Sequence, residues 1–250
     1  MKIFIINLAR SVERRKSMAQ QLSALNLNYE FIDAIDGKKL THDEILQNTK
    51  PISYAVTCGE IGCSLSHIKI YKKIKSENIP IALILEDDAL LSPETVSALS
   101  EIEELNLKNP TITLLTEDPK YIGSPLHNSR FKNHKIFKVL EGACSHGYII
   151  NNSAACKMVD FLYPVWMVAD KWQLLNEYSV CNVEAVVPPV IGKTPCADSS
   201  TIQIESTLKR RIEEQKKLMW AEIKKRRSHT LKIKRLLWSS FIYPFLNINR

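Results

Sequence analysis

Several signatures that decide function early are missing from this 250-residue sequence. Its six cysteines, Cys58, Cys63, Cys144, Cys156, Cys181 and Cys196, contain no CxxC pair and no zinc-ligand spacing. That removes zinc-ribbon and redox-motif readings and leaves each cysteine as a small buried apolar residue. No stretch reaches the length of a transmembrane helix. Met1-Lys2 leads straight into IFIINL, a strand-length run too short for a secretory h-region with its cleavage site, so a cytoplasmic location is expected. The glycine-bearing helix start at 58–67 is neither GxGxxG nor a P-loop, which makes it weak as a generic phosphate motif. The body carries no nucleic-acid reader motif, and no nucleic acid is expected as a partner. What remains is an ordinary globular composition, 45% hydrophobic and 24% charged, in a chain long enough for one large domain with an appendage.

Charge divides the chain. The formal net charge is +7, but residues 206–250 hold 13 Lys/Arg against 3 Asp/Glu, leaving 21 basic and 24 acidic residues in 1–205. The body is mildly acidic and the tail carries the whole excess, a pattern suited to an anionic surface. In the tail, Lys/Arg clusters at 209–211, 216–217, 224–227 and 232–235 alternate with apolar residues up to Trp238, and FIYPFLNI follows at 241–248. Such a basic amphipathic helix with Trp and Phe fits a membrane-interface anchor. An ordinary helix packing on the body is the competing reading.

The centre of the sequence is IALILEDDALL at 81–91. Its aliphatic run, bounded by Pro80 and Pro93, reads as a buried strand, and it stops at Glu86-Asp87-Asp88. Three carboxylates at a buried strand end repel one another and resist desolvation. A divalent cation, Mn²⁺ or Mg²⁺, shared with a diphosphate would answer both problems. A helix N-terminus complemented by acids would answer them too.

The first 36 residues read strand, helix, strand: Lys2–Leu8, a helix opening at Ser11 as N-cap, then Tyr29–Ile32. That order argues for an α/β core with a mostly parallel central sheet, which binds ligands at the carboxyl ends of its strands. Asn7, Arg10, Arg14 and Asp36 then share a rim with the acidic triplet, where Arg14 can pair with a nucleotide phosphate. The helix start at 58–67 can face an anion with its backbone N–H groups. Residues 120–135 read as a loop over substrate, and 192–205 as a segment closing on a ligand. In PVWMVADKW at 164–172, Asp170 between Trp166 and Trp172 fits a general base beside a sugar platform, with a helix-cap aspartate as the plainer reading.

Together these segments resemble glycosyltransferase family 25. The match is carried by INLARSVERR at 6–15, DAIDG at 33–37, GEIGCSLSH at 59–67, ILEDDALLSP at 84–93 and SHGYIIN at 145–151, with VPPVIG and SSTIQ further on. It covers about 1–205, taken as the catalytic domain, and leaves 206–250 as a helical tail. The resemblance implies a GT-A-like nucleotide-sugar fold and an inverting transfer from UDP-galactose or another UDP-hexose to a lipid-linked core saccharide. It implies Asp88 and Glu86 as the metal contacts in place of a DxD motif, with Asp87 near the donor. Asn7, Leu8, Arg10, Arg14, Ala34, Asp36 and Gly37 would line uridine and diphosphate, Ser66 and His67 would lie near the donor, and His146 would complete the metal shell or touch the diphosphate. Asp170 is the expected base, with Glu60, Glu117 and Asp118 as rivals. The tail would hold the enzyme on the cytoplasmic face of the inner membrane. A nucleotide-dependent phosphotransferase or hydrolase, or a non-catalytic membrane scaffold, are the competing functions.

Overall fold

The computed structural model describes residues 1–117, 120–127, 134–194 and 206–249. The chain begins as β1 (Lys2–Asn7), α1 (Val12–Ala24) and β2 (Glu30–Asp33). A 3-10 turn at Gly37–Lys39 and α2 (His42–Asn48) lead into α3 (Cys58–Ser76). Next come β3 (Ile81–Glu86), β4 (Ala89–Leu91), α4 (Thr95–Glu104), β5 (Thr111–Leu114) and β6 (Lys120–Pro125). The body continues with β7 (Lys135–Glu141), β8 (Gly147–Asn151), α5 (Asn152–Leu162), α6 (Trp172–Glu177), β9 (Asn182–Val187) and β10 (Ile191–Lys193). The tail holds α7 (Ser206–Lys225), α8 (His229–Leu237) and β11 (Ile248–Asn249).

Nine strands form one sheet in the order β11-β6-β7-β9-β5-β8-β3-β1-β2. Six of them, β6, β9, β5, β3, β1 and β2, run one way, as expected for this class. β8 enters antiparallel between β3 and β5, and β7 and β11 also run against the majority. Successive residues of a strand face opposite sides of the sheet. Phe4, Ile6, Ala82 and Ile84 therefore enter one core with α3 and α5, while Ile3, Ile5, Leu83 and Leu85 enter a second core with Met18 and Leu22 of α1 and Leu99 and Ile102 of α4. Both faces are covered, which is why these strands read as unbroken apolar runs. Asn26, Asn78 and Asn106 end α1, α3 and α4 with φ of 53°, 51° and 46°, a left-handed conformation that asparagine tolerates at helix ends.

Three expectations change here. Ser11 precedes α1 but its side chain makes no capping hydrogen bond. Residues 120–125 form a strand paired with β7, not a loop, since Lys120-Tyr121-Ile122 supply a β-compatible edge despite the flanking Gly and Pro. The tail is also no simple appendage. Ile248 and Asn249 pair with Ile122 and Tyr121, so β11 is the sheet's edge strand. Residues 195–205, including SSTIQ and most of the expected closing segment, lie outside the described residues, as do Asp118 and Cys196.

Candidate active site

The carboxyl ends of β1, β2 and β3 meet at one rim, as parallel register requires: Ile6 pairs with Glu86 and Asn7 with Asp33. Each acid of the triplet has a different environment. Glu86 is half-buried; Ser145 Oγ donates to its Oε1 at 2.5 Å and His67 Nε2 lies 3.3 Å from the same oxygen. Burial pushes this carboxyl up, but hydrogen bonding and charge from His67, with help from Ser145 and His146, outweigh it and hold the group at about 2. Asp87 accepts from Asn7 Nδ2 at 2.7 Å and from Arg14 at 3.1 Å, yet burial still leaves it raised. Asp88 is raised to about 6 by burial and then by the Glu86 charge, against a partial offset from Arg14. Its Oδ1 is buried without a hydrogen-bond partner among the described residues.

His146 is 4% exposed, and neither ring nitrogen has a hydrogen-bond partner among the described residues. Burial lowers it to about 4, with Lys193 adding to the effect and Glu86 opposing it. Lys193 reaches the site because β10 pairs antiparallel with β4, setting Lys193 opposite Ala89, and Thr194 N–H donates to the Asp88 carbonyl at 2.9 Å. Burial works against the Lys193 ammonium, but Cys144, Asp88 and Glu86 raise it overall.

The buried Asp88 oxygen and one His146 ring nitrogen, unpartnered among the described residues, are each donors of kinds that a divalent cation accepts, carboxylate oxygen being the better match to Mn²⁺ or Mg²⁺. A second set, Cys63, His67 and Glu86, has ligand atoms within 4.8 Å of one another. It fits less well. Burial, followed by four nearby carboxylates, pushes the Cys63 thiol well above its ordinary range, which keeps it from serving as a thiolate ligand, while His67 Nδ1, turned away from this set, lies 2.7 Å from Tyr148 Oη. The Tyr148 hydroxyl is 2.6 Å from that of Tyr71, so a buried polar chain backs the histidine from behind.

The turn that aims Ser145 and His146 is held by two residues from 164–172. Cys144 has φ of 70°; its N–H donates to Asp170 Oδ2 at 3.2 Å and its carbonyl accepts from Trp172 Nε1 at 3.0 Å. Asp170 is therefore no helix cap, and the cap position of α6 is Lys171. Nor do the tryptophans form a sugar platform. Trp172 is fully buried, and Trp166 is buried with its N–H on the Phe161 carbonyl, because both rings are used by the core.

Other predicted residues lie around the rim in differing roles. Arg10 pairs with Asp36, which also caps the 3-10 turn through Lys38 N–H. Leu8 is half-buried and its carbonyl accepts from Ser11 N–H; Ala34 N–H donates to the Asn7 carbonyl at 2.9 Å. Ser66 is buried, accepting from Ile35 N–H and donating to the Gly62 carbonyl, so it fixes the 35–37 turn against α3. The helix start at 58–67 is not an open anion site: Thr57 and Glu60 cap it as a capping box, and Gly62 lies against the backbone of residues 35–37. Glu60 is further engaged by Lys216 of the tail. Glu117 is exposed beside Gly192. Sequence reasoning missed Ser145, Cys63 and the Tyr71–Tyr148 pair, and held Lys193 only as an unremarked member of the 192–205 segment expected to close on a ligand. Ser145, Cys63 and Tyr148 stand inside quoted motifs, whereas Lys193 arrives only through the β4–β10 pairing.

The two open groups carry opposite pH signatures. His146 falls from 6.5 to about 4 on folding, so the unfolded chain binds its proton first and stability rises with pH across that window. Asp88 climbs from 3.8 to about 6, so the native chain binds the proton first and stability falls as pH rises from 3.8 to 6. With chelator present the two should largely cancel. His146→Gln is expected to leave a chain that loses stability between pH 4 and 6, by up to about 3 kcal/mol at roughly 1.4 kcal/mol per pKa unit. Urea melts across that range test it, and an unchanged profile would refute the assignment.

Residues 1–172 match the family model described as Glycosyltransferase family 25 (LPS biosynthesis protein). A glycosyltransferase 25 family member of Aedes aegypti is 39% identical over 100 residues, covering 36% of this chain and 16% of its own length. Procollagen galactosyltransferase 1-A of Xenopus laevis is 33% identical over 96 residues, covering 35% and 16%. The lipooligosaccharide biosynthesis protein lic2B of Haemophilus influenzae is 28% identical over 158 residues, covering 60% of this chain and 59% of its own. The match thus spans only a minor part of the animal relatives and less than two thirds of the bacterial one. Among solved structures, a glycosyltransferase involved in glycosylation of the major capsid of PBCV-1 aligns with a TM-score of 0.42 at 11% identity, over 88% of this chain and 98% of that one.

Proposed function

Given that the chain belongs to glycosyltransferase family 25, we propose that it transfers a hexose, galactose from UDP-galactose, to an oligosaccharide acceptor with inversion at the transferred carbon. The observation carrying this reading is the group of open polar atoms on Asp88 and His146 beside Lys193. Of the buried polar atoms without hydrogen-bond partners among the described residues, those of Asp88 and His146 are the ones that stand beside Glu86 and Lys193 at the strand-end rim, where a ligand would supply the partners. Asp88 would hold the divalent cation, Mn²⁺ or Mg²⁺, with Glu86 as a further contact and His146 beside Lys193 toward the diphosphate. Bound there, the ion would neutralise charge developing on the departing diphosphate.

The chain's own residues do the rest. Asn7 and Arg14 hold Asp87 in place at the rim, and Arg10, Leu8, Ala34, Asp36 and Gly37 would border the uridine and diphosphate. His67 supports Glu86 from behind, and Ser66 holds the 35–37 turn against α3. Lys193 adds a positive charge where the leaving diphosphate gathers negative charge. Asp170, oriented by the Cys144 N–H, would take the proton of the acceptor hydroxyl as its oxygen bonds to the sugar and the bond to UDP breaks. The acceptor is taken to be a lipid-linked saccharide. The relative named for lipooligosaccharide biosynthesis matches the larger share of this chain, and the enzyme would work at the cytoplasmic face of the inner membrane.

Calorimetric titration of UDP-galactose, UDP-glucose and UDP-N-acetylglucosamine, each with Mn²⁺ and with EDTA, tests the donor. Galactose donor affinity should exceed that of the other two and drop at least about tenfold, some 1.4 kcal/mol, in EDTA. A folded chain that binds none of the three would reject the reading.

A further inference from the structure

We propose that residues 229–247 form a docking face for bilayers rich in anionic lipid, held at a fixed position on the body from both ends. The proposal goes beyond the transfer chemistry and requires none of it. No helix among the described residues is long and apolar enough to cross a membrane, so contact would be interfacial.

The two halves of the tail do different things. α7 is clamped to the body: Lys216 pairs with Glu60, Trp220 stacks edge-on to Tyr54 with ring centroids 5.8 Å apart, Ile223 is buried, and Arg227 pairs with Glu177 at 2.6 Å with both side chains buried. Beyond it, α8 turns one face to the body. Lys234 Nζ donates to the Ser179 hydroxyl at 2.5 Å, and Arg235 pairs with Glu177. At 100° per residue, Ile233 and Leu236 then point away from those contacts, while Leu237 lies beside Lys234 at the border of the two faces. They are 57%, 64% and 50% exposed, and the apolar surface continues through Phe241 and Phe245, at 69% and 82%. A groove of about 440 Å³ lined by Thr230, Ile233, Lys234, Leu237, Trp238 and Ile242 runs along the flank of this face that carries Lys234. Past it, β11 returns to the sheet and fixes the far end.

This apolar ridge is far larger than isolated surface residues account for, and it needs an occupant. The charge around it chooses one. The tail carries a balance of +10 from its 13 basic and 3 acidic residues, whereas the body is at −3. An apolar, aromatic ridge inside a cationic segment complements a surface with anionic headgroups over acyl chains.

Flotation of the full-length chain with phosphatidylcholine vesicles, and with vesicles that also contain phosphatidylglycerol, tests this. The wild-type chain should bind the anionic vesicles at least tenfold more than the neutral ones, and less so in high salt. The triple variant Leu236→Ser, Phe241→Ser, Phe245→Ser should lose at least tenfold of that binding. All three side chains are exposed, so its melting temperature and its UDP-sugar titration should be unchanged. Equal binding by variant and wild type, or no binding of anionic vesicles, would overturn the proposal. So would a concentration-dependent dimer abolished by the triple variant without vesicle binding, which would assign the face to a second copy.

Discussion

Asp88→Asn is expected to cut transfer from a UDP-sugar by at least about a thousandfold, the scale on which losing a preorganised charge contact in a transfer site is felt. The same variant should be more stable than the wild type at neutral pH in chelator. The Asp88 carboxyl is raised to about 6 by burial and by Glu86, so its ionised form is a cost to the fold above that pH. Asparagine keeps the volume and removes the charge, and a gain of about 1–3 kcal/mol follows from the size of the shift. Glu86→Gln should do the opposite. That carboxyl is held down to about 2, and its contribution is present above its ordinary 4.5 and lost only as pH falls through the folded value. Denaturant melts at pH 7 beside single-turnover assays separate the cases. A stable but inactive Asp88 variant marks a residue retained against stability for function. An unstable one would make Asp88 a structural group and sink the site.

Gly37→Ala should lower stability by about 3 kcal/mol or more, the upper part of the overpacking range. A Cβ there would fall on the carbonyl oxygen of Cys58, which is backbone and cannot swing aside. Gly62 is its counterpart on α3, where a Cβ would meet Gly37 N and Ile35 O, each at 2.6 Å. Alanine in mid-helix gains only about 1 kcal/mol of propensity over glycine, so the clash wins at both positions. α3 carries Cys63 and His67, so forcing it away from the 35–37 turn would also loosen the support of Glu86. Thermal melts of both variants measure the loss. A Gly37→Ala chain that melts with wild type would mean the two motifs do not interlock.

What the sequence disclosed here follows its periodicities. The buried runs at 2–7 and 81–86 were legible because strands covered on both faces read as near-continuous apolar runs, and 111–114 because its Thr-Ile-Thr-Leu is β-prone throughout. The acidic rim followed because a parallel register puts Asn7, Asp33 and Glu86 at the same edge. Less was legible where long-range contact decides. The glycines of 59–67 suggested an anion cradle, but they serve a backbone-to-backbone approach that only the partner turn reveals. The tryptophans flanking Asp170 suggested a platform, yet the core takes both rings. Lys193 lies more than a hundred residues from the acids it faces and comes to them by a three-residue strand pairing that no local pattern announces.

The return of β11 to the sheet has a consequence for handling the protein. An edge strand presents a row of free N–H and C=O groups to any strand that can reach it, and proteins cover or charge such rows. Here Ile248 and Asn249 cover part of β6, with Gly123 N–H bonded to the Asn247 carbonyl at 2.7 Å. During synthesis β6 emerges long before its cover, so the nascent body has this edge bare until the tail has been made. A chain shortened to 1–205 would remain in that state permanently. It is expected to form oligomers by edge pairing and to be rescued by a lysine or proline placed on β6, behaviour easily mistaken for a missing anchor.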